Sequence, residues 1–584
     1  MAHVSSSARL WLLGIILFGA CAPAPSAPPE PVATRPPANV PAAWPMFARL
    51  KADTATSGMV VSGSPVASQV GAEILQQGGS AVDAAVAVGF ALAVVHPEAG
   101  NLGGGGFMVM RFANGKAQAL DYRETAPGKA SRDMYLDPQG KVTDRSLTGH
   151  LAAGVPGSVA GLAEAHRRYG TLTWTQVVAP AIRLARDGFV VDEFRSRSIA
   201  GSATRLRRFA ASRAQFLPGG AAPRPGTTFK QPDLAVTLQA IADSGPRAFY
   251  EGRTADLIVK EMAQGGGIIT KADLTAYRAV WRDPIVIKYR NHTIYSMPPS
   301  SSGGVTMGEA LNILEGYDPV PEFGSAAYVH LFAEAMRRAF MDRNQHLGDP
   351  AFVEMPLDRL LSKRYAADLR AQIQPDRATP TPAFVSGTGE GDHTTHYSVA
   401  DAAGNAVSVT TTLNSSYGSA VTVAGAGFLL NNEMDDFAAA PGTPNQYGLV
   451  QGEANAIQPG KRMLSAMTPS IVVDRSGRLK MVLGSPGGPT IITSVTQVIL
   501  NVLDHHMSLA DAVAVTRVHH QALPDQINYE RGGLLPAVVA SLKAMGHAVD
   551  ERSGYSGDIA AIERRGNAWI GVPDPRRGGG AAGY

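Results

Sequence analysis

Two short stretches constrain this chain most: "TTHYSVA" at 394–400 and "AVSVTTT" at 406–412 both alternate with period two, and only "DAAGN" separates them. That pattern predicts an antiparallel hairpin with a tight connection. Centred on Ala403, its register sets Thr394 opposite Thr412, His396 opposite Thr410 and Ser398 opposite Ser408 on one face. Thr395, Tyr397, Val399, Val407, Val409 and Thr411 take the other face, which is mostly apolar and suits a core. The hydroxyl face admits two readings: the solvent side of a half-exposed hairpin, or a site.

A threonine hydroxyl is a weak nucleophile, and no catalytic partner lies close to Thr394 in sequence. It becomes competent as the first residue of a chain, where its own α-amino group, with a reference pKa of about 7.7 to 8.0, accepts the hydroxyl proton. Thr394 lies in mid-sequence, so this chemistry requires a cut between His393 and Thr394. The cut divides the folded part into a large subunit, 44–393, and a small one, 394–584.

The rest of the chain is read around that hairpin. "SPVASQVGAEILQQGG" predicts a helix with Ser64 at its cap, Pro65 in its first turn and Gly78-Gly79 at its stop. A buried helix follows over 81–95, then strands at 106–112 and ending at Tyr122-Arg123. Helices are expected at 159–169, 175–187, 235–243, 253–264, 325–346, 357–373, 493–506, 508–516 and 532–546, and further strands at 427–431, 469–474 and 478–484. Strands at both ends with helices between and after them give an α+β fold, layered around antiparallel sheets.

At the N-terminus Arg9 precedes the apolar run "LWLLGIILFGA", an export signal of residues 1–21. Its apolar core of about ten residues is short of the roughly 18 to 20 that span a bilayer. Cys21, the only cysteine, follows Gly19-Ala20 where a bacterial lipoprotein signal places its acylated cysteine. Phe18 stands where such signals usually carry Leu, and simple cleavage nearby is the other reading. The protein is expected in the periplasm, with membrane anchoring if Cys21 carries a lipid. Residues 22–43 are so rich in Pro and Ala that they read as an extended tether. With 45% hydrophobic residues, 17% charged and a net charge of +3, the chain is globular and gives no footprint for nucleic acid.

"TTHYSVAD", "TTTLNSSYG", "LLNNEMDDF", "KRMLSAM" and "GSPGG", with "NLGGGGFMVM" and "DYRETAP" far upstream, resemble the γ-glutamyltransferases (glutathione hydrolases) in order and spacing. The likeness runs from about Met59 to the terminal "GY". It implies a self-processing N-terminal-nucleophile hydrolase with an αββα sandwich, cutting the γ-glutamyl amide of glutathione and passing the group to water, an amino acid or a peptide, without a cofactor.

By the same resemblance Thr394 is the nucleophile and Thr412 its hydrogen-bonding partner, the pair that the hairpin register reached independently. Gly487 and Gly488 correspond to the oxyanion hole, where glycine lets backbone N–H groups approach closely. Arg123 corresponds to the residue that binds the α-carboxylate, and a bidentate guanidinium suits that group. Asn414, Glu433 and Asp436 correspond to the holders of the α-ammonium. The 26-residue loop Ala438–Met463 matches a lid, with Tyr447 covering the substrate.

The departure is at "LSAM", where Ser465 is followed by Ala466 instead of a second serine. Losing one neutral hydrogen bond costs about 0.5 to 1.5 kcal/mol. That leaves room for a cephalosporin or glutaryl acylase, acting on an acyl group without the amino-acid head. Beneath such a group the ammonium-binding residues would be desolvated and unpaired. A catalytically silent envelope lipoprotein is the remaining alternative, which the intact site residues oppose. Gly103–Gly106 precedes its strand and is no dinucleotide fingerprint, so it reads as close backbone packing. His505-His506 and His519-His520 lack metal-ligand spacing and are expected at the surface or at caps.

Overall fold

The computed structural model describes residues 37–381 and 394–584, with Met1 and His3. Within the compact unit Thr34–Tyr584, two seven-stranded sheets carry the fold. The first runs in the order Gly580–Gly583, Met59–Ser62, Thr394–Ala400, Ala406–Thr412, Gly105–Arg111, Ala117–Asp121, Val280–Arg282. The second runs Asp53–Ala55, Ala568–Pro573, Ala560–Arg565, Leu479–Leu483, Ser470–Val473, His292–Ser296, Ile285–Tyr289. Every pairing within either sheet is antiparallel.

The hairpin forms in the expected register, Thr394 against Thr412 through Ala400 against Ala406. It sits at the centre of its sheet, so every residue of its two strands is buried and the half-exposed reading fails. The apolar face packs on the helix Ala81–Val95, buried along its whole length and started by a capping box between Ser80 and Asp83. The hydroxyl face meets the second sheet, and its polar groups find partners across the gap or within the hairpin. Ser398 Oγ donates to the Ala560 carbonyl at 2.8 Å, Ser408 Oγ to the Leu483 carbonyl at 3.0 Å, and His396 Nδ1 lies 2.8 Å from Thr410 Oγ1. Burial holds His396 far below the usual imidazole range, at about 3, so it is a neutral packing residue. On the far side of the second sheet lie Gly303–Leu314, and against it Ala326–His346 and Thr490–Leu503. Helix, sheet, sheet, helix is the αββα order.

Several expectations need correction. Residues 427–431 form isolated bridges, Leu429 with Thr422 and Leu430 with Gly103, instead of a strand. The helix expected over 357–373 is split into Leu357–Leu360 and Lys363–Arg370. His519 and His520 are buried, the first bonded to Thr493 and Gln521, the second 3.3 Å from Asp525. The end of the proposed tether is already packed: Val40 is buried, and the Asn39 amide donates to the Phe323 carbonyl. Cys21 and His393 lie outside the described residues, as does the apolar N-terminal run. Among the described residues no helix is long and apolar enough to cross a membrane.

Candidate active site

Thr394 opens the central strand, and its Oγ1 donates to Thr412 Oγ1 at 3.3 Å. Thr412 Oγ1 in turn accepts from the Asn414 amide at 2.8 Å. Asn414 takes a left-handed φ of 74° that turns the chain out of the strand, a conformation asparagine tolerates better than most residues. Its side chain is fixed at both ends: Nδ2 donates to the Asn432 carbonyl at 2.9 Å, and Oδ1 accepts the Tyr447 hydroxyl at 2.6 Å.

These residues border a cavity that also touches Arg123, Arg343, Glu433, Asp436, Ser465, Ala466 and Gly488. It holds only about 20 Å³, room for one water molecule. Tyr447 closes it from the lid, buried, with its ring 3.2 Å from where a Cβ on Gly488 would stand. A side chain at Gly488 would therefore crowd the lid, and φ of +130° at Gly487 and +55° at Gly488 favours glycine at both positions. Neither of their amides donates a hydrogen bond among the described residues. Both lie just before the helix Thr490–Leu503, whose N-cap is Pro489, so two N–H groups without a donated bond stand at its positive end, and Gly488 lines the same cavity as Thr394.

At the other end of the cavity Arg123, 1% exposed, pairs with Glu433 at 2.7 Å and with Asp436, and Glu124 lies 3.7 Å away. Burial opposes the guanidinium's charge, but Glu433, Asp436 and Glu124 outweigh it and hold the proton more tightly than usual. Burial raises the carboxyls of Glu433 and Asp436 in turn, with Arg123 pulling the other way. Glu124, whose oxygens make no hydrogen bond among the described residues, is pushed up to about 8 by the same burial. Such an electron-rich, dry cluster suits a cation presented by a ligand.

Ser465 and Ala466 form the third wall. The Ser465 hydroxyl accepts from the Met467 amide at 3.1 Å, and the methyl of Ala466 lines the cavity where a second hydroxyl would otherwise stand. The glycine run upstream is close packing: a Cβ on Gly104 would come within 2.1 Å of the Thr412 carbonyl. Sequence reasoning missed Arg343, a fully buried guanidinium on the helix Ala326–His346 that reaches the cavity. That helix also buries Arg337 and Arg338, and nothing in its spacing sets Arg343 apart. Outside the site, His330, Glu334 and His547 lie within reach of a common cation, but Arg337 and Arg338 already neutralise Glu334.

An αββα sandwich with an N-terminal-strand threonine, two free glycine amides and a charged head-group pocket defines the class of N-terminal-nucleophile hydrolases. The γ-glutamyltranspeptidase family model matches residues 67–584, and the chain belongs to that family. It is 45% identical to the glutathione hydrolase proenzyme of Escherichia coli (strain K12) over 571 residues, 97% of each chain. It is 42% identical to the acylase ACY 1 proenzyme of Pseudomonas sp. (strain V22) over 527 residues, 88% of this chain and 90% of that one. Among solved structures the cephalosporin acylase from Bacillus halodurans superposes with a TM-score of 0.81 at 27% identity, covering 97% of this chain and 99% of that one.

Proposed function

We propose that this chain is a self-processing γ-glutamyltransferase that cleaves the γ-glutamyl amide of glutathione and related compounds. In maturation Thr394 Oγ1 attacks the carbonyl of His393, the peptide bond is replaced by an ester as the Thr394 amine is released, and water hydrolyses that ester to free Oγ1 and leave His393 with a carboxylate. In turnover that amine takes the hydroxyl proton, Oγ1 attacks the γ-carbonyl, and the Gly487 and Gly488 amides receive the developing oxyanion. The amide nitrogen leaves with the proton. Water or an amino acid or peptide amine then releases the γ-glutamyl group from Thr394. Thr412 orients the nucleophile throughout.

The observation that carries this reading is the pairing of Thr394 with a cavity whose far wall joins Arg123 to Glu433 and Asp436. A γ-glutamyl head carries an α-carboxylate and an α-ammonium, and that wall offers a partner for each. Mass spectrometry of the purified protein should find a small subunit that begins at Thr394, and γ-glutamyl-p-nitroanilide should release p-nitroaniline.

A second reading, a cephalosporin or glutaryl acylase, draws on Ala466 and on the likeness to acylase ACY 1. Glu433 and Asp436 weigh against it, because a glutaryl group leaves the buried Glu433 and the largely covered Asp436 without an ammonium. Arg9 and the apolar run to Ala20 support export, with Cys21 as the residue a lipid would modify. Incorporation of labelled fatty acid into the precursor, and its loss in Cys21→Ser, tests that anchoring.

A further inference from the structure

We infer that Arg343 is a second substrate-binding cation, placed to take the α-carboxylate of the γ-glutamyl group beside Ser465 and Ala466. The inference rests on the proposed γ-glutamyl specificity and deepens it. Arg343 is buried, lines the cavity, and has no carboxylate within ion-pair distance among the described residues. Its bonds go to neutral acceptors: Nε donates to Ser302 Oγ at 2.9 Å, and Nη1 to Asn344 Oδ1 at 2.9 Å and Gln451 Oε1 at 3.3 Å. Nη2 makes no hydrogen bond among the described residues. A buried guanidinium without a direct ion-pair partner among the described residues, beside a ligand cavity, is suited to an anion.

The charge balance points the same way. Arg123 is already flanked by Glu433 and Asp436, so that trio carries a net negative charge when both carboxyls are ionised and favours the ammonium. Adding Arg343 makes a neutral quartet that matches a zwitterion. The connection to the carboxylate end is direct, since Ser302 Oγ, which accepts from Arg343, donates to the Ser465 carbonyl at 2.6 Å. The cation thus stands beside the segment where Ala466 supplies no hydroxyl. Burial lowers the Arg343 guanidinium to about 10, with Asp436 pulling back, so it stays charged at neutral pH.

The test is calorimetric binding of L-glutamate and of its α-carboxamide, isoglutamine, to matured wild type, Arg343→Gln and Arg343→Lys. Arg343→Gln should lose about 10- to 100-fold in affinity for L-glutamate, the range of a charge-assisted hydrogen bond, with isoglutamine binding unchanged. Arg343→Lys should fall between them and decides the matter if the glutamine variant does not mature. An equal loss on both ligands would mark a structural role, and unchanged glutamate binding would mark none; either overturns the inference. A wild type that binds L-glutamate but hydrolyses no γ-glutamyl amide would contradict the proposed activity and leave the Arg343 assignment standing.

Discussion

Tyr447 donates its hydroxyl to Asn414 Oδ1 at 2.6 Å, and with the Ser415 hydroxyl donating to Gln446 Oε1 at 3.0 Å this ties the loop over the cavity to the turn that ends the Thr394 hairpin. Closing the lid and ordering the turn are therefore one event. Removing the hydroxyl in Tyr447→Phe should loosen the lid by about 1 kcal/mol. Water then reaches the acyl-enzyme more readily. Hydrolysis should rise relative to transfer when products from γ-glutamyl-p-nitroanilide are partitioned with glycylglycine present, and an unchanged partition would detach Tyr447 from gating.

Thr394→Ala removes the only hydroxyl placed for both maturation and turnover. It should remain a single chain on a denaturing gel and show no activity. Persistent cleavage after His393 in this variant would sink the mechanism.

Thr412→Val keeps the strand's shape but deletes the Oγ1 that accepts from Thr394 and from the Asn414 amide. Both maturation rate and kcat should fall by roughly 10- to 100-fold, with KM nearly constant, since the bond orients the nucleophile and not the head group. A change in KM alone would move Thr412 from the nucleophile to the binding pocket.

Much of this site was legible in the chain. The period-two pattern and the short connection set the hairpin register residue by residue, because a one-residue slip would turn every side chain to the wrong face. What the pattern could not give was the second sheet. The face with Ser398, His396 and Ser408 was open to a solvent-side or a site reading, and it is buried, with Ala560, Leu483 and Thr410 satisfying it from segments far away in sequence or across the hairpin. The strands Ile285–Tyr289, His292–Ser296 and Ala560–Arg565, and the helix Gly303–Leu314, were missed for a related reason. The strands pair partly as local hairpins, but they are placed in the sheet by Ser470–Val473 and Leu479–Leu483, which lie far from them in sequence. Arg343 was invisible because a buried arginine on a helix reads like any solvated one until the cavity is seen.

The raised carboxyl of Glu124 carries a sign for stability. Its folded pKa of about 8 lies above its ordinary value of 4.5, so the protonated form favours folding. That contribution is complete below pH 4.5 and is lost as pH rises towards 8. The unliganded enzyme should lose thermal stability across this window, and Glu124→Gln, which cannot ionise, should flatten the slope in a melting series. An identical slope in the variant would assign the pH dependence elsewhere.

The central claim is that the cavity is built for a γ-glutamyl head in spite of Ala466. The most direct measurement is p-nitroaniline release by the purified two-chain protein from γ-glutamyl-p-nitroanilide and from glutaryl-p-nitroanilide, which differ by the α-ammonium that Glu433 and Asp436 would bind. The account predicts kcat/KM for the γ-glutamyl donor to exceed that for the glutaryl donor by tenfold or more, the order expected for one charge-assisted contact. A correctly cleaved protein that prefers the glutaryl donor would contradict it and make the chain an acylase.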